Sequence, residues 1–159
     1  MKYTVGIDPG LHGAICFYAT TPIEIEIHDM PTHTITINNK KKKRLDIVEI
    51  ARLIDVKSGQ IKECYIESVT ASPQMGTVSA FTFGETFGIV QGIMAANFIP
   101  VKLIRPQLWK KHFGLTSDKD ASRRKASSLF PSFAGQWQKV KDDGRAEALL
   151  IAVHGTDVI

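Results

Sequence analysis

Three apolar segments lie far apart in this 159-residue chain, and each begins or ends on carboxylates. Asp8 closes Tyr3-Thr4-Val5-Gly6-Ile7 and Glu67 closes Cys64-Tyr65-Ile66, whereas Asp142, Asp143 and Glu147 precede the apolar stretch 148–153. A carboxylate at the mouth of a buried strand is costly to desolvate unless something cationic sits against it. The three sites can share one cation if both strands end on the same edge of a sheet, which sharply limits the usable topologies. Hard oxygen ligands of this kind suit Mg²⁺ or Mn²⁺ and not zinc. The pattern points to metal-assisted phosphodiester chemistry.

Periodicity supplies the element order. Residues 2–8 and 13–18 read as two strands joined by the turn Pro9-Gly10-Leu11-His12-Gly13. Ile23, Ile25 and Ile27 alternate with Glu24, Glu26 and His28, as in a half-exposed strand. Asp46 caps a helix with apolar positions Ile47, Ile50, Ala51 and Ile54. A short buried strand over 63–67 and a loop over 68–77 follow. The stretch 78–97 is apolar nearly all round and rich in Gly and Ala, so it predicts a helix that is central or at an interface. A strand over 101–104, two basic helices over about 107–113 and 119–129, and a helix over 144–155 complete the chain. This order predicts an α/β fold, a mixed five-stranded sheet flanked by helices in a single domain.

Composition narrows the class. Hydrophobic residues make up 43% and charged residues 23%, as in ordinary soluble globular proteins. Twenty Lys+Arg against sixteen Asp+Glu give a formal charge of +4, a hint of a polyanion partner only where that charge clusters. Cys16 and Cys64 sit in apolar runs and read as buried reduced thiols. No segment has the length of a membrane span, and the N-terminus has no signal-peptide h-region, so a cytoplasmic location is expected.

The motifs together resemble a known family. Gly6-Ile7-Asp8-Pro9-Gly10-Leu11-His12-Gly13-Ala14, Ile66-Glu67-Ser68-Val69 and the stretch from Asp143-Gly144-Arg145-Ala146-Glu147 to Ala152 are similar to the RuvC-type Holliday-junction resolvases, above all their bacteriophage and prophage-like branch. The resemblance runs through nearly the whole chain. It implies a ribonuclease H-like fold, a homodimer, and Mg²⁺-dependent symmetric nicking of four-way DNA junctions, with Mn²⁺ able to substitute. It assigns Asp8, Glu67, Asp143 and Glu147 as catalytic acids and metal ligands. Cellular relatives carry Asp-x-x-Asp at the last site, but three residues before Glu147 stands Gly144. Asp143, four residues before Glu147, shares its helix face and is the natural partner, with Asp142 in reserve. Relatives from cellular bacteria also carry a junction-wedging aromatic three residues past the second acid; here that position is Thr70, and Phe81 or Phe83 could substitute.

The basic residues divide. Lys40-Lys41-Lys42-Lys43-Arg44 reads as a solvated loop tip between strand and helix. Lys110, Lys111, Lys119 and Arg123 lie near the expected acidic edge and are candidate nucleic-acid ligands. Trp109 and Trp137 read as packing residues, and His12 as an exposed turn histidine. Rival readings are a ribonuclease H-type nuclease on RNA–DNA hybrids and a non-catalytic branched-DNA-binding module. An actin-like phosphotransferase, which shares the first glycine motif, needs two such domains.

Overall fold

The computed structural model describes residues 2–68, 70, 74–118 and 120–157. The first three strands form an antiparallel meander of β1 (Tyr3–Asp8), β2 (Ala14–Thr20) and β3 (Ile23–Asp29). β1 and β2 are apolar on both faces because helices cover both. β3 keeps its Glu and His alternation because it is the outer strand of the sheet.

The expectation of a loop tip at Lys40–Arg44 is corrected here. β4 (Thr32–Ile37) and β5 (Lys40–Leu45) pair as a separate two-stranded hairpin. Asn38 and Asn39 turn the chain with φ of 50° and 58°, the two positive values of a type I′ turn. An asparagine pair after alternating Thr and Ile was the available signal; the unbroken basic run hid it, because consecutive lysines show no period of two.

The second half alternates strands and helices. Asp46 accepts a bond from Glu49 N–H at 3.0 Å and starts α1 (Ile47–Lys57), which buries Ile50 and Ile54. β6 (Ile61–Glu67) runs parallel to β1, α2 (Thr77–Ala96) crosses over, and β7 (Val101–Ile104) pairs parallel to β6. α3 (Pro106–His112), α4 (Ala121–Leu129) and α5 (Asp143–Asp157) follow. The five-stranded order is β3-β2-β1-β6-β7, the mixed sheet expected from the sequence.

The core lies on both faces of that sheet. On one face, Val5, Ile7, Ile15 and Phe17 pack with Ile50 and Ile54 of α1 and with Val90 and Met94 of α2. On the other, Cys16, Tyr65, Trp109 and Trp137 surround α5, which buries nine of its fifteen residues. Gly6 permits that helix to lie directly on β1: a Cβ there would sit 2.1 Å from the Ala148 carbonyl oxygen. The central helix is thus α5. The apolar α2 buries only Thr86, Val90 and Met94, and the rest of its surface is partly or fully open.

Candidate active site

Parallel pairing fixes the first two acids. Ile7 is in register with Ile66, so Asp8 and Glu67 leave the sheet side by side on neighbouring strands, roughly 4.8 Å apart. Gly6 and Tyr65, each two residues earlier, both face α5, and the alternation of a strand therefore turns Asp8 and Glu67 to the same side. The start of α5 completes the edge. Asp143 and Glu147 stand one helical turn apart and share with Asp8 a cavity of about 520 Å³, closed on its far side by Val78, Phe83 and Thr86 of α2.

The choice between the neighbouring aspartates has a local cause. Asp142 is buried in a 3₁₀ turn, where it accepts a bond from Lys139 N–H at 3.0 Å. Asp143 opens into the cavity instead. Between them and Glu147, Gly144 packs on the β1–β2 turn: a Cβ would come within 2.7 Å of the His12 carbonyl oxygen. An aspartate side chain at position 144 would collide with that turn, and the acid stands one residue earlier, at Asp143.

Each acid except Asp8 has a strong donor. Trp109, fully buried in the middle of α3, donates its indole N–H to Glu67 Oε2 at 2.8 Å. Ser122 of α4 donates its hydroxyl to Glu147 Oε1 at 3.1 Å, and Lys110 Nζ lies 3.6 Å from the same oxygen. Arg123 sets its Nε 2.6 Å from Asp143 Oδ1, in an orientation that is not a hydrogen bond, and also reaches Asp120 and the Gln138 carbonyl. Asp8 receives only the Gly10 N–H at 3.3 Å.

Electrostatics follows from this distribution. Burial, with the charges of Glu147 and Glu67 added, pushes the Asp8 carboxyl up from 3.8 to about 7, against the opposing pull of the Gly10 N–H and Lys110. Burial also raises Glu67, and the Trp109 bond partly offsets it. The edge therefore carries more negative charge than its protein donors neutralise. Its donor set, all carboxylate oxygen with no thiolate or imidazole, fits a hard divalent cation. Among the described residues no three acidic, His or Cys side chains converge into a ready-made cage.

The candidate nucleic-acid ligands take different places. Lys110 is half-buried beside Glu147 and lies over the Trp109 ring at 5.1 Å, while Lys111 is exposed. Arg123 is turned inward to Asp143, and Lys119 lies outside the described residues. His12 is exposed, Phe81 is 70% exposed on α2, and Phe83 lines the cavity. Sequence reasoning missed Ser122 and read Trp109 as packing alone. A buried indole N–H needs an acceptor, and that requirement was the usable signal for Trp109; nothing in the sequence marks Ser122.

No family model matches the chain, and no curated protein matches it. Solved structures do, two of them from Thermus thermophilus. Thermus thermophilus RuvC in complex with Holliday junction substrate aligns with a TM-score of 0.61 at 16% identity, over 96% of this chain and 91% of that one. A second Thermus thermophilus RuvC structure aligns at 0.60 and 15%, over 98% and 96%. At these identities the likeness is one of fold: the chain has the RuvC-type, ribonuclease H-like sheet and helices that its motifs imply.

Proposed function

We propose that this chain is a Mg²⁺-dependent, structure-selective endodeoxyribonuclease of the bacteriophage and prophage-like RuvC branch, which resolves four-way DNA junctions by paired symmetric nicks as a homodimer. The observation that carries the reading is the meeting of Asp8, Glu67, Asp143 and Glu147 at one sheet edge with an uncompensated excess of negative charge. These four side chains would hold Mg²⁺ or Mn²⁺. Bound there, the cation supplies water activation and stabilises the leaving 3′ oxygen of an in-line displacement.

The remaining groups bind and orient. Trp109 holds Glu67, and Ser122 holds Glu147, in single orientations. Lys110, beside Glu147, would take a phosphate oxygen, Lys111 would extend that contact along the backbone, and Lys119 is a further candidate from the sequence. Asp8 must give up its proton before it can ligate a cation, so apparent Mg²⁺ affinity rises with pH up to about 7.

Pairing of two subunits is supported by α2. Val78 and Phe81 are 72% and 70% exposed, and a Cβ at Gly84, Gly88 or Gly92 would meet nothing within 4 Å. An apolar helix face with room for a close neighbour suits a two-fold contact, which sets two active edges for symmetric cuts.

The test is cleavage of a mobile four-way junction in Mg²⁺ beside linear duplex, three-way and RNA–DNA hybrid substrates. Paired nicks in the junction, abolished by Asp8→Asn with binding retained, are expected. Preferred cutting of the hybrid would replace this reading with a ribonuclease H-type activity. Junction binding by the wild-type protein with no cutting would replace it with a binding module.

A further inference from the structure

The β4–β5 hairpin carries Lys40–Lys43, and among the described residues none of these four lysines pairs with a carboxylate. That sets them apart from Lys57, Lys102, Arg124 and Arg145, each held by an acid within 2.8 Å. The hairpin's pairing sorts them onto two faces. Thr34 stands opposite Lys43 and Thr36 opposite Lys41, so threonine hydroxyls and lysine ammoniums share one face with Thr32 and Leu45. His33, Ile35 and Ile37 share the other with Arg44, Lys42 and Lys40.

The two faces have different surroundings. On the second, Arg44 reaches Thr82 and Glu85 of α2. On the first, Thr32 and Lys43 line a cavity of about 260 Å³ with His12, Gly13, Lys141 and Asp142. His12 and Gly13 also line the catalytic cavity, so the threonine–lysine face continues directly into the acidic edge. Lys141, likewise unpaired among the described residues, adds a further positive charge at that junction.

We propose that the face formed by Thr34, Thr36, Lys41 and Lys43 grips the phosphate backbone of a DNA duplex arm and feeds it toward the acidic edge. The proposal rests on the nuclease reading and assigns its substrate a second contact region. Lys41 and Lys43 lie two residues apart, roughly 7 Å along the strand. Duplex DNA carries one charge per about 1.7 Å of axis, so the two ammoniums meet separate phosphates. The hydroxyls of Thr34 and Thr36 supply neutral donors between them. Lysines on open strand edges also deter sheet-to-sheet association, but that role falls on both faces alike.

Two variants of equal charge separate the faces: Lys41→Gln/Lys43→Gln and Lys40→Gln/Lys42→Gln. Both keep a polar, unbranched side chain at each position and the Asn38-Asn39 turn. Four-way-junction affinity is measured for both and for the wild type from 50 to 200 mM salt, and wild-type cleavage is followed in parallel. Loss of two phosphate contacts lowers the slope of log K against log salt by about 1.8, and this is expected for the first variant, with less than half that change for the second. Equal changes in both, or none in the first while the wild type still cuts junctions, would overturn the grip and leave the nuclease reading standing. A wild-type protein that neither binds nor cuts junctions would overturn both.

Discussion

Asp8→Asn should make this protein more stable at the pH where it works while abolishing its activity. Folded, the Asp8 carboxyl titrates at about 7; its ordinary value is 3.8. Below the ordinary value, folded and unfolded chains are both protonated and the buried group costs nothing. Between the two values the folded chain holds a proton that the unfolded chain releases. Above 7 the folded chain carries a buried, uncompensated charge, so the stability present in acid is lost as pH rises through 7. Three units at about 1.4 kcal/mol each set a ceiling of about 4 kcal/mol. Asp8 retains some solvent contact, which brings the expected gain for Asn to roughly 1–3 kcal/mol, or roughly 2–12 °C in Tm. Thermal melting in EDTA at pH 4, 6 and 8 should show no gain at pH 4 and the full gain at pH 8. Mg²⁺ should then raise the wild-type Tm at pH 8, because it binds only the folded edge, and raise the Asn variant less. An Asn variant that melts no higher than wild type at pH 8, or that gains equally at pH 4, would refute the reasoning.

Trp109→Phe keeps a ring in the core and removes the 2.8 Å bond to Glu67. A hydrogen bond to a charged group contributes about 1.5–3 kcal/mol, so single-turnover nicking should slow roughly 10- to 100-fold. Glu67 should titrate still higher, moving the acid limb of the rate–pH profile upward; a uniform loss with an unmoved limb would reduce Trp109 to packing. Gly88→Arg places a long cation on the open face of α2, and sedimentation should show a monomer that has lost paired nicking. A variant that still sediments as a dimer would exclude that face as the interface.

Much of the fold is legible because it rests on local signals. The alternation of β3, the cap at Asp46 and the strand-ending positions of Asp8 and Glu67 are all visible within a few residues of sequence. What escapes is set by packing partners. α2 and the 148–153 stretch of α5 look alike in sequence, each a largely apolar run, and only the sheet decides which is buried. Gly6 admits α5 onto β1, while the glycines of α2 face open space. The site divides the same way: the four acids are readable from position along the chain, but Ser122 and the inward turn of Arg123 arise from α4 packing against α5, which no spacing announces.

The distribution of donors supports the proposal that a cation completes this edge. Glu67, Asp143 and Glu147 each receive an indole, guanidinium, hydroxyl or ammonium group from α3 or α4. Those helices hold three acids in place without satisfying the fourth. Asp8 sits where β1 ends, beneath the tight β1–β2 turn, and the charges that act on it are those of Glu147 and Glu67, opposed by Lys110. A side chain added at Gly13 to fill this space would strike Asp8 itself, at 2.1 Å from its carbonyl oxygen. Position 13 therefore cannot bring a protein cation to Asp8 without breaking the hairpin. The crowding is a consequence of topology: strands that end together bring their last residues side by side, and Lys110 alone does not offset the acids that gather on Asp8.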